Sequence, residues 1–287
     1  MWEPICQHIH QVTGQPFELV DLRSVGGGCI NQGYRLVSRD RSYFVKLNRA
    51  EQIAMFEAEA LGLQQMFETH TIRVPKPICS GVAESACYLV LEWLDLGRSS
   101  RSADREMGRQ LARLHQFRQA TAFGWERDNT IGSTPQKNPW TTDWITFWQQ
   151  YRIGYQLELG RRRGGYFSQG DRLLDRIPAI LADHHPHPSL VHGDLWGGNA
   201  AVTAEGEPVI FDPATYWGDR EVDLAMTELF GGFSAEFYQG YHEVYPLDSG
   251  YESRKILYNL YHVLNHFNLF GGSYAGQADR MIAQLIR

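Results

Sequence analysis

One stretch, residues 191–223 (VHGDLWGGNAAVTAEGEPVIFDPATYWGDREVD), constrains this chain more than any other. Asp194 is followed five positions later by Asn199, and Asp212 closes the short apolar run Pro208-Val209-Ile210-Phe211. That run reads as a strand, and Glu205-Gly206-Glu207 before it as the turn of a hairpin. The pattern therefore puts Asp194 and Asn199 on a loop and Asp212 at a strand end. Carboxylates and an amide oxygen are hard ligands, suited to a small divalent cation that keeps part of its water. A lone Asp before glycines is ordinarily a turn former. The joint spacing, with His192 in front and Pro213 behind, gives these residues a chemical reading.

The run His192-Gly193-Asp194-Leu195-Trp196-Gly197-Gly198-Asn199 is followed by Asp212-Pro213-Ala214 and then by Tyr216-Trp217-Gly218-Asp219-Arg220-Glu221-Val222-Asp223-Leu224-Ala225-Met226. Together these resemble the fructosamine (ketosamine) kinase family, a branch of the protein-kinase-like fold near the aminoglycoside phosphotransferases. His-Gly-Asp with a later Asp is shared by many small-molecule kinases. The Asp-Leu-Trp continuation and Phe230-Gly231-Gly232-Phe233 are more specific, and the resemblance covers nearly the whole chain. It implies an α+β, two-lobed protein-kinase-like fold. Residues 1–94 would form a small β-rich N-lobe that binds nucleotide, and residues 95–287 a larger, mainly helical C-lobe for catalysis and substrate. It implies ATP-dependent phosphorylation of a sugar hydroxyl on ketosamines, free or protein-bound. The phosphate destabilises the adduct, which falls off. In that arrangement Asp194 meets the substrate hydroxyl, while Asn199 and Asp212 hold Mg²⁺ against the ATP phosphates. Asp-Pro-Ala replaces the Asp-Phe-Gly of protein kinases, so neither a Phe switch nor activation-loop phosphorylation is expected.

Before that stretch, residues 1–13 have the spacing of an amphipathic helix. Residues 17–25, 33–37 and 42–47 read as three strands, with Gly26, Gly27, Gly28 and Cys29 at the tip between the first two. Glycines there let backbone N–H groups approach phosphates. Lys46, one of only four lysines, sits in Phe-Val-Lys-Leu like the strand lysine of kinases and is expected at the α- and β-phosphates. Residues 55–67 form a helix. The resemblance pairs its Glu59 with Lys46 and leaves Glu57 on a solvated face. Residues 78–82 and 87–94 read as strands, the second running into a hinge where backbone groups of Glu92, Trp93 and Leu94 would bond adenine.

Residues 96–102 read as a linker and 104–117 as a helix, with His115 as a buried structural side chain. Residues 124–140 form an irregular segment that matches the fructosamine kinases and is expected to shape the substrate side of the cleft. Trp140, Trp144, Phe147, Trp148 and Tyr151 repeat at helical spacing and read as core. Arg161-Arg162-Arg163 reads as a solvated helix end. His184, His185 and His187, interleaved with prolines, read as an exposed loop without metal. Later helices are expected at 222–230, 254–270 and 278–286. His262 and His266 lack the carboxylate of a metal motif and read as core or surface histidines. Trp196, two residues from Asp194, is positioned to stack on a sugar face. Asp219 and Asp223 read as carboxylates that hold the catalytic loop by its backbone.

A net charge of −6 argues against a nucleic-acid partner, whose binding rests on neutralising phosphates. No apolar run is long enough to span a membrane, and no signal peptide is evident, so a cytoplasmic location is expected. Cys6, Cys29, Cys79 and Cys87 show no metal or disulfide spacing. Cys29 carries a separate expectation. In a phosphate-binding loop its thiolate is favoured, and oxidation, including a redox-dependent dimer, would block ATP. The rival readings are a phosphotransferase for another small hydroxyl compound, such as an aminoglycoside or choline, and a binding module without turnover. The joint presence of Lys46, Asp194, Asn199 and Asp212 argues against the second.

Overall fold

Side-chain alternation and one apolar helix build the first part of the molecule, whose computed structural model describes residues 1–26, 30–231 and 233–287. Helix α1 (Trp2–Thr13) buries Ile5 and Ile9 and ends at Gly14. Strands β1 (Asp21–Val25), β2 (Gln32–Val37) and β3 (Ser42–Arg49) follow. A 3₁₀ turn (Ala50–Gln52) then leads into α2 (Ile53–Glu68), β4 (Pro77–Ala83) and β5 (Ala86–Glu92). The strands form one sheet in the order β1-β2-β3-β5-β4, with every neighbouring pair antiparallel. The strand expected from residue 17 starts at Asp21, because Phe17 packs into the small core with Ile5 and Ile9. Period-two alternation divides the sheet. Leu36, Val45, Leu47, Tyr88 and Val90 join the α1 core, whereas Leu89 and Leu91 face the main core. Lys46 pairs across the ladder with Leu89 and so sits on the second face.

The remaining chain is mainly helical. Helix α3 (Arg101–Gln116) starts inside the expected linker, because the Ala103 N–H donates to the Ser100 hydroxyl at 3.2 Å and caps it. The hairpin β6 (Asn129–Ile131) and β7 (Thr134–Gln136) comes next. Helix α4 (Trp144–Trp148) then passes through a π-helical turn (Gln149–Gly154) into α5 (Tyr155–Arg162). The expected aromatic core holds for Trp144, Phe147 and Trp148 but not for Trp140, which is 48% exposed. Asp143 caps α4 by accepting from the Thr146 N–H at 2.8 Å, so the helical period begins only after Trp140.

Helix α6 (Gly170–Ile180) precedes four short strands, β8 (Ser189–Val191), β9 (Ala200–Val202), β10 (Pro208–Ile210) and β11 (Tyr216–Gly218). The hairpin β9–β10 forms as expected, and β8 pairs with β11. Helices α7 (Glu221–Leu229), α8 (Ala235–Val244), α9 (Tyr251–Phe270) and α10 (Tyr274–Leu285) complete the fold. Helix α9 buries Leu257, Tyr258, Leu260, Tyr261, Val263 and Leu264, which makes it the spine of this lobe. The result is the α+β arrangement of a sheet lobe and a helical lobe. Among the described residues no helix is long and apolar enough to cross a membrane.

Candidate active site

The loop between β8 and β9 is fastened from below. Asp223, in the first turn of α7, accepts the His192 N–H at 2.7 Å and the Gly193 N–H at 2.8 Å. It also lies 3.1 Å from His115 Nε2, so His115 is the buried structural histidine expected. Burial alone would raise the Asp223 pKa, but these hydrogen bonds and the neighbouring histidines hold it below the usual carboxylate value. Gly193 has a φ of 81°, and a Cβ there would stand 2.2 Å from the Ala214 carbonyl oxygen. Only glycine lets the two loops approach this closely. His192 is buried between them. Its Nε2 lies 2.9 Å from the Phe211 carbonyl, and its Nδ1 accepts from the Asp194 N–H at 3.3 Å. Nε2 therefore carries the hydrogen, in keeping with a pKa lowered by burial.

Asn199 turns its amide nitrogen inward, donating to the Asp194 carbonyl at 2.9 Å and reaching the Asp212 carbonyl at 3.4 Å. Its Oδ1 is left as the atom with lone pairs to offer. Asp212 follows β10 with a φ of 59°, a left-handed conformation that is rare and costly for a residue with a Cβ. Lys46 Nζ donates to Glu59 Oε1 at 2.6 Å and to Asp212 Oδ1 at 2.5 Å. Glu57 instead pairs with Arg127 at 3.1 Å. A continuous set of contacts thus runs from Glu59 through Lys46, Asp212 and Asn199 to Asp194. Burial works against the Lys46 charge, but the carboxylates of Asp212 and Glu59 outweigh it and raise its pKa. Burial, then the Asp212 and Asp223 carboxylates, push Asp194 up to about 7. A base poised near neutrality accepts a proton from a hydroxyl and later releases it.

The rim is more varied. Glu92 spends its N–H on the Lys76 carbonyl at 2.9 Å and its side chain on Arg73 at 2.5 Å. Trp93 and Leu94 lie past the strand end, which stops two residues earlier than expected. The Trp93 ring carries the Arg35 guanidinium 4.3 Å above it, and its Nε1 donates to Asp95 at 2.8 Å. Gly26 is exposed just after β1, while Gly27, Gly28 and Cys29 lie outside the described residues. Trp196 is 43% exposed above the loop.

Two expectations need correction. Asp219 does not hold the catalytic loop. It accepts from Tyr258 at 2.5 Å and from the Glu221 N–H at 3.1 Å, so its bonds go to α9 and to the start of α7. His184 is not loose in an exposed loop, since its Nε2 lies 2.7 Å from Asp219. Asp219 and Glu221 converge on His184, but Arg254 pairs with Glu221 through two 2.7 Å bonds. The protein itself supplies the counter-charge there, and no metal is assigned.

The irregular segment is where sequence reading fell short. Its side chains face the residues that follow Asp212. Gln136 Nε2 donates to the Ala214 carbonyl at 3.0 Å, and Asn129 Nδ2 to the Thr215 carbonyl at 2.8 Å. The signal available was the concentration of amides beside glycine and proline. The partner segment was not readable from it.

A sequence model for the family described as "Fructosamine kinase" matches residues 1–287. The chain is 58% identical over 286 residues to "Probable ketoamine kinase slr1563" of Synechocystis sp., covering 100% of this chain and 97% of that protein. It is 44% identical over 290 residues to a chloroplastic protein-ribulosamine 3-kinase of Arabidopsis thaliana, covering 99% and 88%. A crystal structure of a Haemophilus somnus 129PT protein described as a fructosamine-3-kinase superposes with a TM-score of 0.94 at 32% identity, covering 100% and 98%. A thermostable mutant of aminoglycoside phosphotransferase APH(4)-Ia, at 16% identity and a TM-score of 0.62 over 98% of both chains, shares the fold alone.

Proposed function

This chain belongs to the fructosamine kinase family, and on that premise we propose that it transfers the γ-phosphoryl group of ATP to a sugar hydroxyl of ketosamines. The fold is the two-lobed protein-kinase-like one, and the protein is an ATP-dependent kinase. The observation that carries the substrate-site reading is the Lys46–Asp212–Asn199–Asp194 contact series. In this reading Lys46 meets the α- and β-phosphates, held in place by Glu59. Asp194 orients the attacking hydroxyl and takes its proton. The new bond joins that oxygen to the γ-phosphorus, the bond to the β–γ bridging oxygen breaks, and ADP leaves.

Asp212 and Asn199 are the residues that would hold Mg²⁺, and the donor set fits it: one half-exposed carboxylate and one amide oxygen whose nitrogen is already fixed. The ion supplies charge neutralisation on the phosphates. Backbone groups of Trp93 and Leu94, more than that of Glu92, are the proposed adenine contacts. Gly26, Gly27, Gly28 and Cys29 are the proposed phosphate contacts through backbone N–H groups. Trp196 would stack on the sugar. The division at residues 94 and 95 into two lobes, a cytoplasmic setting and Cys29 as a redox-sensitive thiol belong to the same proposal. For Cys29, activity with and without reductant in wild type and Cys29→Ser decides, and equal sensitivity in both removes the idea.

The substrate experiment is ATP consumption on fructosyl-lysine, ribulosyl-lysine and kanamycin, with Asp194→Asn as control. Turnover of the two ketosamines supports the proposal. Turnover of the antibiotic alone favours the rival phosphotransferase, and binding of ATP without turnover on any of the three favours a binding module.

A further inference from the structure

Residues 214 and 215, immediately after Asp212-Pro213, are gripped by side chains to which the proposed chemistry gives no role. Gln136 is 1% exposed, and besides its bond to the Ala214 carbonyl it is fixed at both ends of its amide. Its Oε1 accepts from the Tyr261 hydroxyl at 2.6 Å, and its Nε2 also donates to Asn129 Oδ1 at 2.9 Å. Asn129 Oδ1 further accepts from Asn138 Nδ2 at 2.8 Å, and Asn138 Oδ1 accepts from Arg152 Nη2 at 2.7 Å. Arg152 is fully buried in the π-helical turn, held by the Lys137 carbonyl at 2.6 Å and by the Tyr216 ring at 4.1 Å. Arg152 Nε is left without a partner among the described residues, but the three amides are each bonded at both ends, and satisfied buried amides of this kind specify one arrangement. π-helical turns recur at functional sites.

The gripped residues touch both the loop that bears Asp194 and the helix that bears Glu59. The Ala214 N–H donates to the His192 carbonyl at 2.8 Å, one face of its carbonyl lies against Gly193, and the other receives Gln136. Thr215 lies against Gly62 of α2, where a Cβ would stand 2.6 Å from its Oγ1. Gly62 is three residues from Glu59 and shares its helix face. The same helix is tied to the helical lobe by the Trp125 Nε1 bond to Gln65 at 2.8 Å.

We propose that Gln136, backed by Asn129, is a positioning residue. Its amide fixes the Ala214 carbonyl, that of Asn129 fixes the Thr215 carbonyl, and together they hold Asp212 in its left-handed conformation, facing Lys46 and Asn199. The inference rests on the reading of Asp212 as a metal-holding group. It assigns to a static hairpin a task that Asp-Pro-Ala, with no aromatic side chain of its own, does not perform.

The test uses Gln136→Met, similar in shape and without donors, in the full-length protein. Two quantities are read: amide hydrogen exchange over residues 212–216, and the Mn²⁺ concentration needed for AMP-PNP binding. The substitution removes three hydrogen bonds, those with the Ala214 carbonyl, Asn129 and Tyr261; loss of the first predicts about tenfold faster exchange there and about a tenfold higher Mn²⁺ requirement. Exchange in α7 and the KM for ketosamine stay within about twofold, below the size of one such bond. Should Gln136→Met fail to fold, Asn129→Ser reads the same two quantities, with changes of about threefold expected. A folded variant with unchanged exchange at 212–216 and unchanged Mn²⁺ requirement makes Gln136 a packing residue and overturns the proposal. Asp212→Asn separates the two layers. If it leaves the Mn²⁺ requirement unaltered, the reading of Asp212 fails, whereas the exchange result still judges Gln136.

Discussion

Lys46 and Asp212 stand 166 positions apart in the chain and 2.5 Å apart in the fold. Their ion pair joins the sheet to the segment after β10, where the proposed function puts the ATP phosphates. Lys46 shares itself between two carboxylates, so the group of Glu59, Lys46 and Asp212 carries one negative charge in excess and favours a further cation.

Replacing Lys46 by Met leaves Glu59 buried without a partner. A stability loss of roughly 3–5 kcal/mol is expected, together with a fall in kcat/KM of about 10²–10³-fold, typical of losing one preorganised electrostatic group. The double variant Lys46→Met/Glu59→Gln regains most of the melting temperature and none of the activity. Thermal unfolding beside an ATP-consumption assay checks both halves. A double variant as unstable as the single one would show that the loss does not come from an unpaired Glu59 carboxylate.

Asp194 makes no contact with Lys46, and its partners lie within its own loop. Asp194→Asn is therefore expected to lower kcat by about 10²–10⁴-fold, the range for a general base, with nucleotide affinity intact. Steady-state kinetics with a separate nucleotide titration reads the two apart. Weakened nucleotide binding equal to the loss in kcat would move Asp194 from proton transfer to phosphate binding.

How much of this was legible follows from the range over which each signal acts. The Asp194, Asn199 and Asp212 group is nearly local, and turn and strand signals placed it correctly on a loop and past a hairpin. The pairing of Lys46 with Glu59 rather than Glu57 followed from resemblance. The fold gives it a reason: Lys46 lies on the Leu89 face of the sheet, which α2 covers. The grip of Gln136 on Ala214 was not legible. A buried amide bonded to a main-chain carbonyl 78 residues away leaves no periodic trace, and its meaning depends on which loop arrives opposite. Asp219 was misread for a related reason. Asp219 and Asp223 both stand near the start of α7, and only the packing of Tyr258 and His184 shows that one is bonded to α9 and His184 while the other holds the loop.

His262 gives the fold a dependence on acid. Burial, then the nearby His266, drive its pKa from 6.5 down to about 3, and its Nδ1 has no partner among the described residues. Between those values the unfolded chain binds a proton that the folded one refuses, so stability rises with pH across the window and falls as the solution is acidified. Above pH 6.5 the group contributes no slope. One such group costs about 1.4 kcal/mol per pH unit, or about 2 kcal/mol on going from pH 8 to pH 5. Urea unfolding at the two pH values should find His262→Leu losing about that much less than wild type. An identical loss in both proteins would place the acid sensitivity elsewhere.

Trp196 is large, apolar and 43% exposed at the loop that bears Asp194. The end of its ring lies against Gly198. A Cβ on Gly198 would stand 2.2 Å from the end of the indole, so the missing side chain makes room for the ring. An aromatic face kept wet at such a position gains its burial when a ligand arrives, and a sugar ring presents the C–H surface to provide it. Trp196→Ala is expected to raise the KM for ketosamine about tenfold, equivalent to ~1.4 kcal/mol, and to leave the KM for ATP unchanged. Gly198→Ala, which displaces the ring without removing it, should shift the same constant in the same direction by a smaller factor. Steady-state kinetics with each substrate varied in turn separates the possibilities. An equal rise for both substrates would make Trp196 an anchor of the loop, because a disordered loop disturbs Asn199 and Asp194 together, whereas a stacking platform touches only the sugar.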